Sequence, residues 1–419
     1  MPPRTLLLAV DGLDEAEHRA LVTGLHPALR ATLGSLPATL RILPGGPSEP
    51  APSLTGLVTG TTVAHTGVPT QLPFRPREQD GPAAWDATAL RVPTLFEAAE
   101  AAGLPVAALQ WPATAGSALS WNLPLVEDLR RYGTRWAMAE ATSSPRMMRE
   151  HLAPRRQAGV QLSRIAPDDL VAEIAAALLT GPEPPALTAV HLTGLGRARR
   201  EAPAGSTAVR RAREDLAGAL ERILAALDPG PQDRLLLVPG RPLVPTTLLA
   251  HPNALLAARS LIRTDGPRLA DYRAVVWPDG PHGALHVRRG EGEAVRRLAV
   301  DALRPLTERR EITLRPVEDG AGATAGTDVI AVLDGAPGTR FDLPVAHRPL
   351  VEGDDPYSAG PLAVADPQAT TLVRALGAGL PDGAEGSWAD LGVSLAAAMG
   401  LRLPGACAAG MRQAAARAG

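Results

Sequence analysis

Asp11 directly follows the apolar run Thr5-Leu6-Leu7-Leu8-Ala9-Val10, and Gly12 comes next. A carboxylate at the C-terminal end of a strand, on a turn, stands where open α/β sheets place their ligands, and an aspartate there suits a metal ion. The stretch PSEPAPSLTGLVTG, Pro47 to Gly60, reads as a loop running into a helix. Within it Ser48, Ser53 and Thr55 carry hydroxyls whose ordinary use at such a place is turn formation and helix capping. His282-Gly283 follows Asp279-Gly280-Pro281 and echoes a metal signature, but it joins two short strand candidates and reads as a hairpin turn. His191 sits inside an apolar run, which implies a buried, hydrogen-bonded imidazole. His18, His26, His151 and His251 have no acidic or imidazole partner at ligand spacing, so surface or capping roles are expected.

Composition removes whole classes of chemistry. All 42 basic residues among the 419 are arginine, which excludes a Schiff-base lysine, a P-loop lysine and a lysine general base. Cys407 is the one cysteine, so the chain has neither a disulfide framework nor a cysteine metal site. A net charge of -2 and 3% aromatic residues leave no footprint for nucleic acid. The opening MPPRTLLLAVDGLDE has too short an apolar run for a secretory leader, and no stretch of about 18 apolar residues follows. The expectation is a soluble cytoplasmic protein that binds neither nucleic acid nor membrane, with its oligomeric state open.

The elements that would position these groups alternate. Short apolar strand candidates at 5–10, 38–43, 105–110, 187–192, 234–238 and 328–333 are separated by amphipathic stretches. Helices are expected at 94–102, 169–180, 206–227 and 293–304. In the third, Val209, Ala212, Leu216, Leu220, Ile223 and Leu227 recur at spacings of three and four. Alternation of this kind predicts an α/β fold, a mostly parallel central sheet with helices on both faces. Residues from about 251 to 345 differ in texture. Two-residue alternation at Tyr272–Trp277 and Ala284–Arg288, followed by a helix, predicts a small α+β insertion within a single 1–419 domain.

In their shared order the motifs resemble the alkaline phosphatase superfamily, in particular its type I phosphodiesterase and nucleotide pyrophosphatase family, from about Thr5 to Gly405. RVPTLFEAAEAAGLPVAALQWP is similar to that family's helix and strand ending in Trp-Pro. AVHLTGLGRARREAPAGS resembles the strand that carries an aspartate with a histidine four residues on. QDRLLLVPGRPLVP resembles the strand ending in Asp-His-Gly, with Asn253 where the family often has asparagine. EGDDPYS resembles the late His-Gly-Tyr-Asp-Pro segment, and DLGVSLAAAMGLRLPG the C-terminal helix. The resemblance implies an alkaline phosphatase-like three-layer sandwich and two zinc-type ions flanking a nucleophile.

Carried over residue by residue, it implies a stripped centre. Asp11 is kept, and the nucleophile falls on Pro50. The paired aspartate and histidine fall on Gly196 and Arg200. Asp-His-Gly becomes Gly240, Arg241 and Pro242, and the last histidine falls on Glu352, or on His347 in a looser placement. The sulfatase-type arginine is Leu54. His65 stands one residue before the family's His-Gly turn and has a structural role. Each implied metal position thus keeps one carboxylate and gains one arginine. The expected consequence is two ion pairs, Asp11 with Arg241 and Arg200 with Glu352, standing where cations stood.

Three readings follow. One is a pseudoenzyme without cofactor, its arginines Arg200 and Arg241 available to a phosphorylated or other anionic small molecule and backbone N–H groups near Ser53 to Leu57 assisting. The second is an active metal-dependent phosphodiesterase or phosphatase with two zinc-type ions, using His347, His65 and Asp354 or Asp355. The third is a metal-independent enzyme with Glu352 as general base.

Overall fold

The computed structural model describes residues 3–24, 27–47, 49–75, 85–162, 168–266, 268–317, 326–345, 348–361, 369–377, 379–380 and 382–413. Its centre is a nine-stranded sheet in the order Arg412–Gln413, Ala384–Gly386, Ala38–Ile42, Thr371–Leu376, Arg234–Pro239, Thr5–Val10, Leu187–Leu192, Val106–Leu109, Trp121–Leu123. The strands from Arg234–Pro239 to Trp121–Leu123 are all parallel to their neighbours. Thr371–Leu376 runs antiparallel between Ala38–Ile42 and Arg234–Pro239.

Thr5–Val10 is buried along its whole length, as a strand covered on both faces must be. Its alternation sorts the two cores. Leu6, Leu8 and Val10 pack against the helices Asp168–Leu179 and Thr207–Leu227, whereas Leu7 and Ala9 face the helices Pro50–Thr59, Leu95–Ala101 and Trp388–Ala398. This is the mixed α/β sandwich expected. The four expected helices lie at Leu95–Ala101, Asp168–Leu179, Thr207–Leu227 and Glu293–Ala302. Thr94 and Glu97 form a capping box at the first, and the Ser206 hydroxyl accepts from Val209 N–H at the third.

One expected strand belongs elsewhere. Residues 328–333 fall within Thr327–Gly335, part of a separate antiparallel sheet ordered Ala274–Asp279, His282–Arg288, Thr327–Gly335, Ile312–Pro316. That sheet has its own apolar core, in which Val275, Leu285 and Leu333 meet Ala299 and Leu303. Residues 328–333 read as an apolar run like those of the central sheet, but they pair antiparallel with His282–Arg288 and Ile312–Pro316 instead.

The helix Pro50–Thr59 is held in place by an unusually close neighbour. A Cβ at Gly392 would fall 1.7 Å from the Leu57 carbonyl oxygen, so only glycine lets the helix Trp388–Ala398 cross there. No helix among the described residues is long and apolar enough to cross a membrane.

Candidate functional site

Asp11 leaves the first strand with its N–H bonded to the Leu192 carbonyl at 2.9 Å, so its carboxylate stands between the ends of two adjacent strands. From the second of these, Thr193 opens into the helix Gly194–Glu201. The Thr193 and Gly194 N–H groups donate to the Asp168 carboxylate at 3.1 and 2.9 Å. Burial pushes Asp168 up to about 6 despite those two bonds. Gly196 and Arg200, four residues apart, share one face of the short helix and face Asp11.

Arg200 grips Asp11 with both ends of its fork. Nη1 donates to Oδ2 at 2.6 Å and Nη2 to Oδ1 at 3.2 Å. Burial would raise the carboxyl, but the charge and hydrogen bonds of Arg200 outweigh it and hold Asp11 below its ordinary 3.8. The helix comes this close because glycine meets glycine. A Cβ at Gly12 would lie 2.6 Å from Gly196 Cα, and a Cβ at Gly196 would lie 2.4 Å from Asp11 Cγ. Next to the pair, Arg199 ties Asp14 at 2.8 Å and the Gly12 carbonyl at 2.5 Å.

The expected pair of Asp11 with Arg241 does not form. Gly240 does close on the first strand, its N–H bonded to the Val10 carbonyl at 3.0 Å. Arg241, however, turns along the strand ends toward Leu43 and Ala369 and is 4% exposed. Its guanidinium donates to the carbonyls of Pro47 at 3.3 Å, Leu43 at 3.4 Å and Ala369, with its carbon 5.9 Å from the Trp388 ring centre. Three carbonyls and an indole face satisfy it without a carboxylate, and burial pushes it down to about 10. Asp11 is already taken by Arg200. The second acid near Arg200 is Glu49, at 3.8 Å. Glu352 lies in the strand Leu350–Pro361 opposite Leu248, and its side chain, like those of Asp354 and Asp355, is outside the described residues, as are His347, His26 and Ser48.

Pro50 opens the helix Pro50–Thr59, with Glu49 as its N-cap. The expectation that this helix start would offer N–H groups to a phosphate fails on its own chemistry. Pro50 and Pro52 have no N–H, the Ala51 N–H donates to Gln71 Oε1 at 2.9 Å, and the Ser53 N–H bonds the Glu49 carbonyl at 3.2 Å. The hydroxyls of Ser53 and Thr55 do not cap either. They bond back to the carbonyls of Pro47 at 3.1 Å and Ala51 at 2.8 Å.

Above the strand ends lies a cavity of about 400 Å³, closed on its far side by the hairpin at Pro278–Gly280 and by Arg340–Leu343. Its walls carry six carboxylates, Asp11, Glu49, Glu127, Glu201, Asp279 and Asp342, against three arginines, Arg197, Arg200 and Arg340. Burial raises Glu49 above its usual range, with Arg200 opposing and Asp11 adding to the rise. Burial and then the charge of Glu49 push Asp279 up to about 7. His191, 3% exposed, closes the floor. Its Nδ1 stands 3.1 Å from the Gln110 carbonyl, and burial lowers its basicity although Asp11 acts the other way. Glu49 went unnoticed in the sequence, and Asp279 was read only as part of a hairpin turn. The only signals were a glutamate just ahead of Pro50 and an aspartate in the Asp279-Gly280 turn.

The positions to which the family resemblance assigns metal donors, 196, 200, 240 and 241, hold two glycines and two arginines. Among the described residues no three His, Cys, Asp or Glu side chains gather as a metal site. The described residues therefore do not fit a dinuclear centre.

The remaining histidines serve the scaffold. His65 Nδ1 lies 2.9 Å from the Thr62 hydroxyl in an exposed turn. His282 begins its strand one step after the two-residue hairpin turn and lies 2.8 Å from Asp334. His151 lies half-buried in the segment Met148–Leu152. His251 is buried and precedes the helix Pro252–Ala258, with Nδ1 2.8 Å from the Arg348 carbonyl. His18, expected at the surface, is buried with Nε2 unbonded, and burial pushes it down to about 4. Asn253 clasps Val276 N–H, Val276 C=O and Leu343 C=O at 2.8, 2.9 and 3.2 Å, joining its helix to the inserted sheet.

A sequence model described as type I phosphodiesterase / nucleotide pyrophosphatase matches residues 5–238. No curated protein matches the chain in sequence. Among solved structures it resembles human ectonucleotide pyrophosphatase/phosphodiesterase 5, with a TM-score of 0.59 and 12% identity over 99% of this chain and 97% of that one. It also resembles an inactive substituted variant of the murine protein of the same name in complex with AMP, with a TM-score of 0.60 and 12% identity over 96% of both chains. At such identity these neighbours speak for the fold alone.

Proposed function

Since the chain belongs to the type I phosphodiesterase / nucleotide pyrophosphatase family, we propose that it is a hydrolytically silent member whose strand-end cavity binds a small molecule without cleaving it. The observation that carries this reading is the Asp11–Arg200 clasp closed over Gly196. A covalently attached guanidinium neutralises the one retained carboxylate, and the space for a second ligand at 196 is taken by Asp11 itself. Pro50 supports the same reading, because a residue without a side-chain nucleophile cannot form a phospho-enzyme.

Family membership and the AMP held by the murine neighbour favour a phosphorylated ligand. Two features of this cavity weigh against phosphate. Arg200 is engaged by Asp11, and the helix start at Pro50–Ser53 has no N–H to offer.

The test is metal content and turnover together. The purified chain is incubated with zinc and with manganese, freed of excess ion, and assayed for bound metal and for hydrolysis of bis(p-nitrophenyl) phosphate. The expected result is no stoichiometric metal and no turnover. Two ions per chain with turnover would overturn the proposal and restore the metal-dependent hydrolase reading.

A further inference from the structure

We propose that the occupant of the cavity is a cation, a primary ammonium compound whose N–H groups are received by Glu49, Asp279 and Nε2 of His191. This rests on the reading above that the hydrolytic centre is closed.

The first observation is where the cavity's charges are spent. Only Arg200 is closely paired, with Asp11 at 2.6 Å; Arg197 and Arg340 each stand loosely beside an acid of the same wall, Glu127 at 3.7 Å and Asp342 at 4.0 Å. Of the remaining three carboxylates, Glu201 is exposed at the rim. Among the described residues Glu49 has only Arg200, already clasped by Asp11, at 3.8 Å. Asp279 has one long contact, from the Gln71 N–H at 3.5 Å. Both face the cavity. Both acids are held up because no cation stands close to them, so a cation entering here would find two acceptors that lack a full partner and would draw off their protons, whereas an anion would make their ionisation harder still.

The second observation is independent of the acids. His191 is almost wholly buried and forms part of the same wall. A carbonyl can only accept, so the Nδ1 facing Gln110 C=O carries the ring proton. The other nitrogen, Nε2, is then a bare lone pair, without a partner among the described residues. A lone pair left open to the cavity takes its donor from water or from a ligand. Carboxylates and an imidazole lone pair together ask for the same thing, an N–H donor bearing positive charge.

Size and lining decide between an ion and an organic cation. No three metal-ligating side chains converge among the described residues, and about 400 Å³ is far more than one ion fills. Leu72, Leu125, Phe341 and Leu343 give the walls apolar stretches that suit a hydrocarbon stem.

The experiment is calorimetric titration of the full-length protein with butylammonium, 1,5-diaminopentane and 2-phenylethylammonium, each beside its neutral alcohol, and with AMP. At least one ammonium compound is expected to bind about tenfold tighter than its alcohol or more, and tighter than AMP. Glu49→Gln and Asp279→Asn are each expected to weaken it about tenfold, while Glu308→Gln, at an exposed position outside the cavity lining, leaves it unchanged. Equal affinity of every ammonium and alcohol pair, tighter binding of AMP, or indifference to both substitutions would overturn the inference. The wild-type comparison does not depend on any variant folding. In protein that takes up no metal and shows no turnover, equal affinities would overturn this inference alone, whereas zinc-dependent turnover would overturn the reading beneath it.

Discussion

Replacing Arg200 by glutamine should leave Asp11 as a buried charge with no cation. The pair is well buried on one side only, the Asp11 side chain being 9% exposed and that of Arg200 27%. Breaking a fully buried pair by removing one partner costs about 3–5 kcal/mol, and a surface pair is worth about 0–1 kcal/mol. The geometry places this one nearer the buried limit but below it, so Arg200→Gln should lower the unfolding free energy by about 2–4 kcal/mol at pH 7.5, read from urea denaturation. Much of that loss is the stranded carboxylate, so the double variant Asp11→Asn/Arg200→Gln should recover at least half of it. The pH dependence carries the sign. In the native chain Asp11 sits below its unfolded value, so its contribution is present above about pH 4 and is lost as pH falls through the folded value. In Arg200→Gln the largest opposition to burial is gone, leaving only His191 and the Gly12 N–H to favour the charge, so Asp11 rises and the variant's deficit should appear above about pH 4 and shrink as pH falls toward it. A deficit under about 0.5 kcal/mol at pH 7.5, or an equal deficit when Asp11 is already asparagine, would refute the clasp as the replacement for a cation.

Other consequences are as direct. Gly196→Ala should cost roughly 2–4 kcal/mol by thermal or urea melts, since its Cβ would fall 2.4 Å from Asp11 Cγ; Gly196→Asp should be at least as costly and should not confer zinc uptake. Arg241→Met should lower stability by roughly 2–4 kcal/mol because the carbonyls of Pro47, Leu43 and Ala369 lose their donor. Asp279 is held up at about 7 against an ordinary 3.8. The folded state therefore keeps a proton that the unfolded chain releases, and stability should fall by about 2–4 kcal/mol as pH rises from 4 to 7. Asp279→Asn should flatten that slope, and an unchanged slope would show that Asp279 is not its source.

Much of the scaffold was legible because it is written locally. Thr5–Val10 and Leu187–Leu192 are unbroken apolar runs, and Thr94 and Ser206 announce their helices three residues ahead of the N–H groups they cap. Thr371–Leu376 escaped notice because Arg374 interrupts its apolar character; the charge is tolerated at 8% exposure only because Glu15, 359 positions away, takes it at 2.8 Å. The site divided in the same manner. Asp11, Gly196 and Arg200 were marked by their place in a motif. Which arginine would reach Asp11 was not, because the Arg200–Asp11 contact spans 189 residues, and which way an arginine after a strand turns depends on carbonyls such as that of Ala369. Glu49 and Asp279 lie far apart in the chain and acquire their shared electrostatics only when the inserted hairpin folds over the strand ends.

The contact of Gly196 with Asp11 also constrains the order in which this sequence can change. An aspartate at 196 has no room while the short helix is drawn down by Arg200. Arg200 cannot leave without stranding Asp11, and Asp11 cannot leave without stranding Arg200 beside Glu49. Each single step toward a metal-binding set of residues thus passes through a less stable protein, and only a coordinated exchange avoids it. The clasp works as a ratchet, making the present arrangement easier to keep than to reverse.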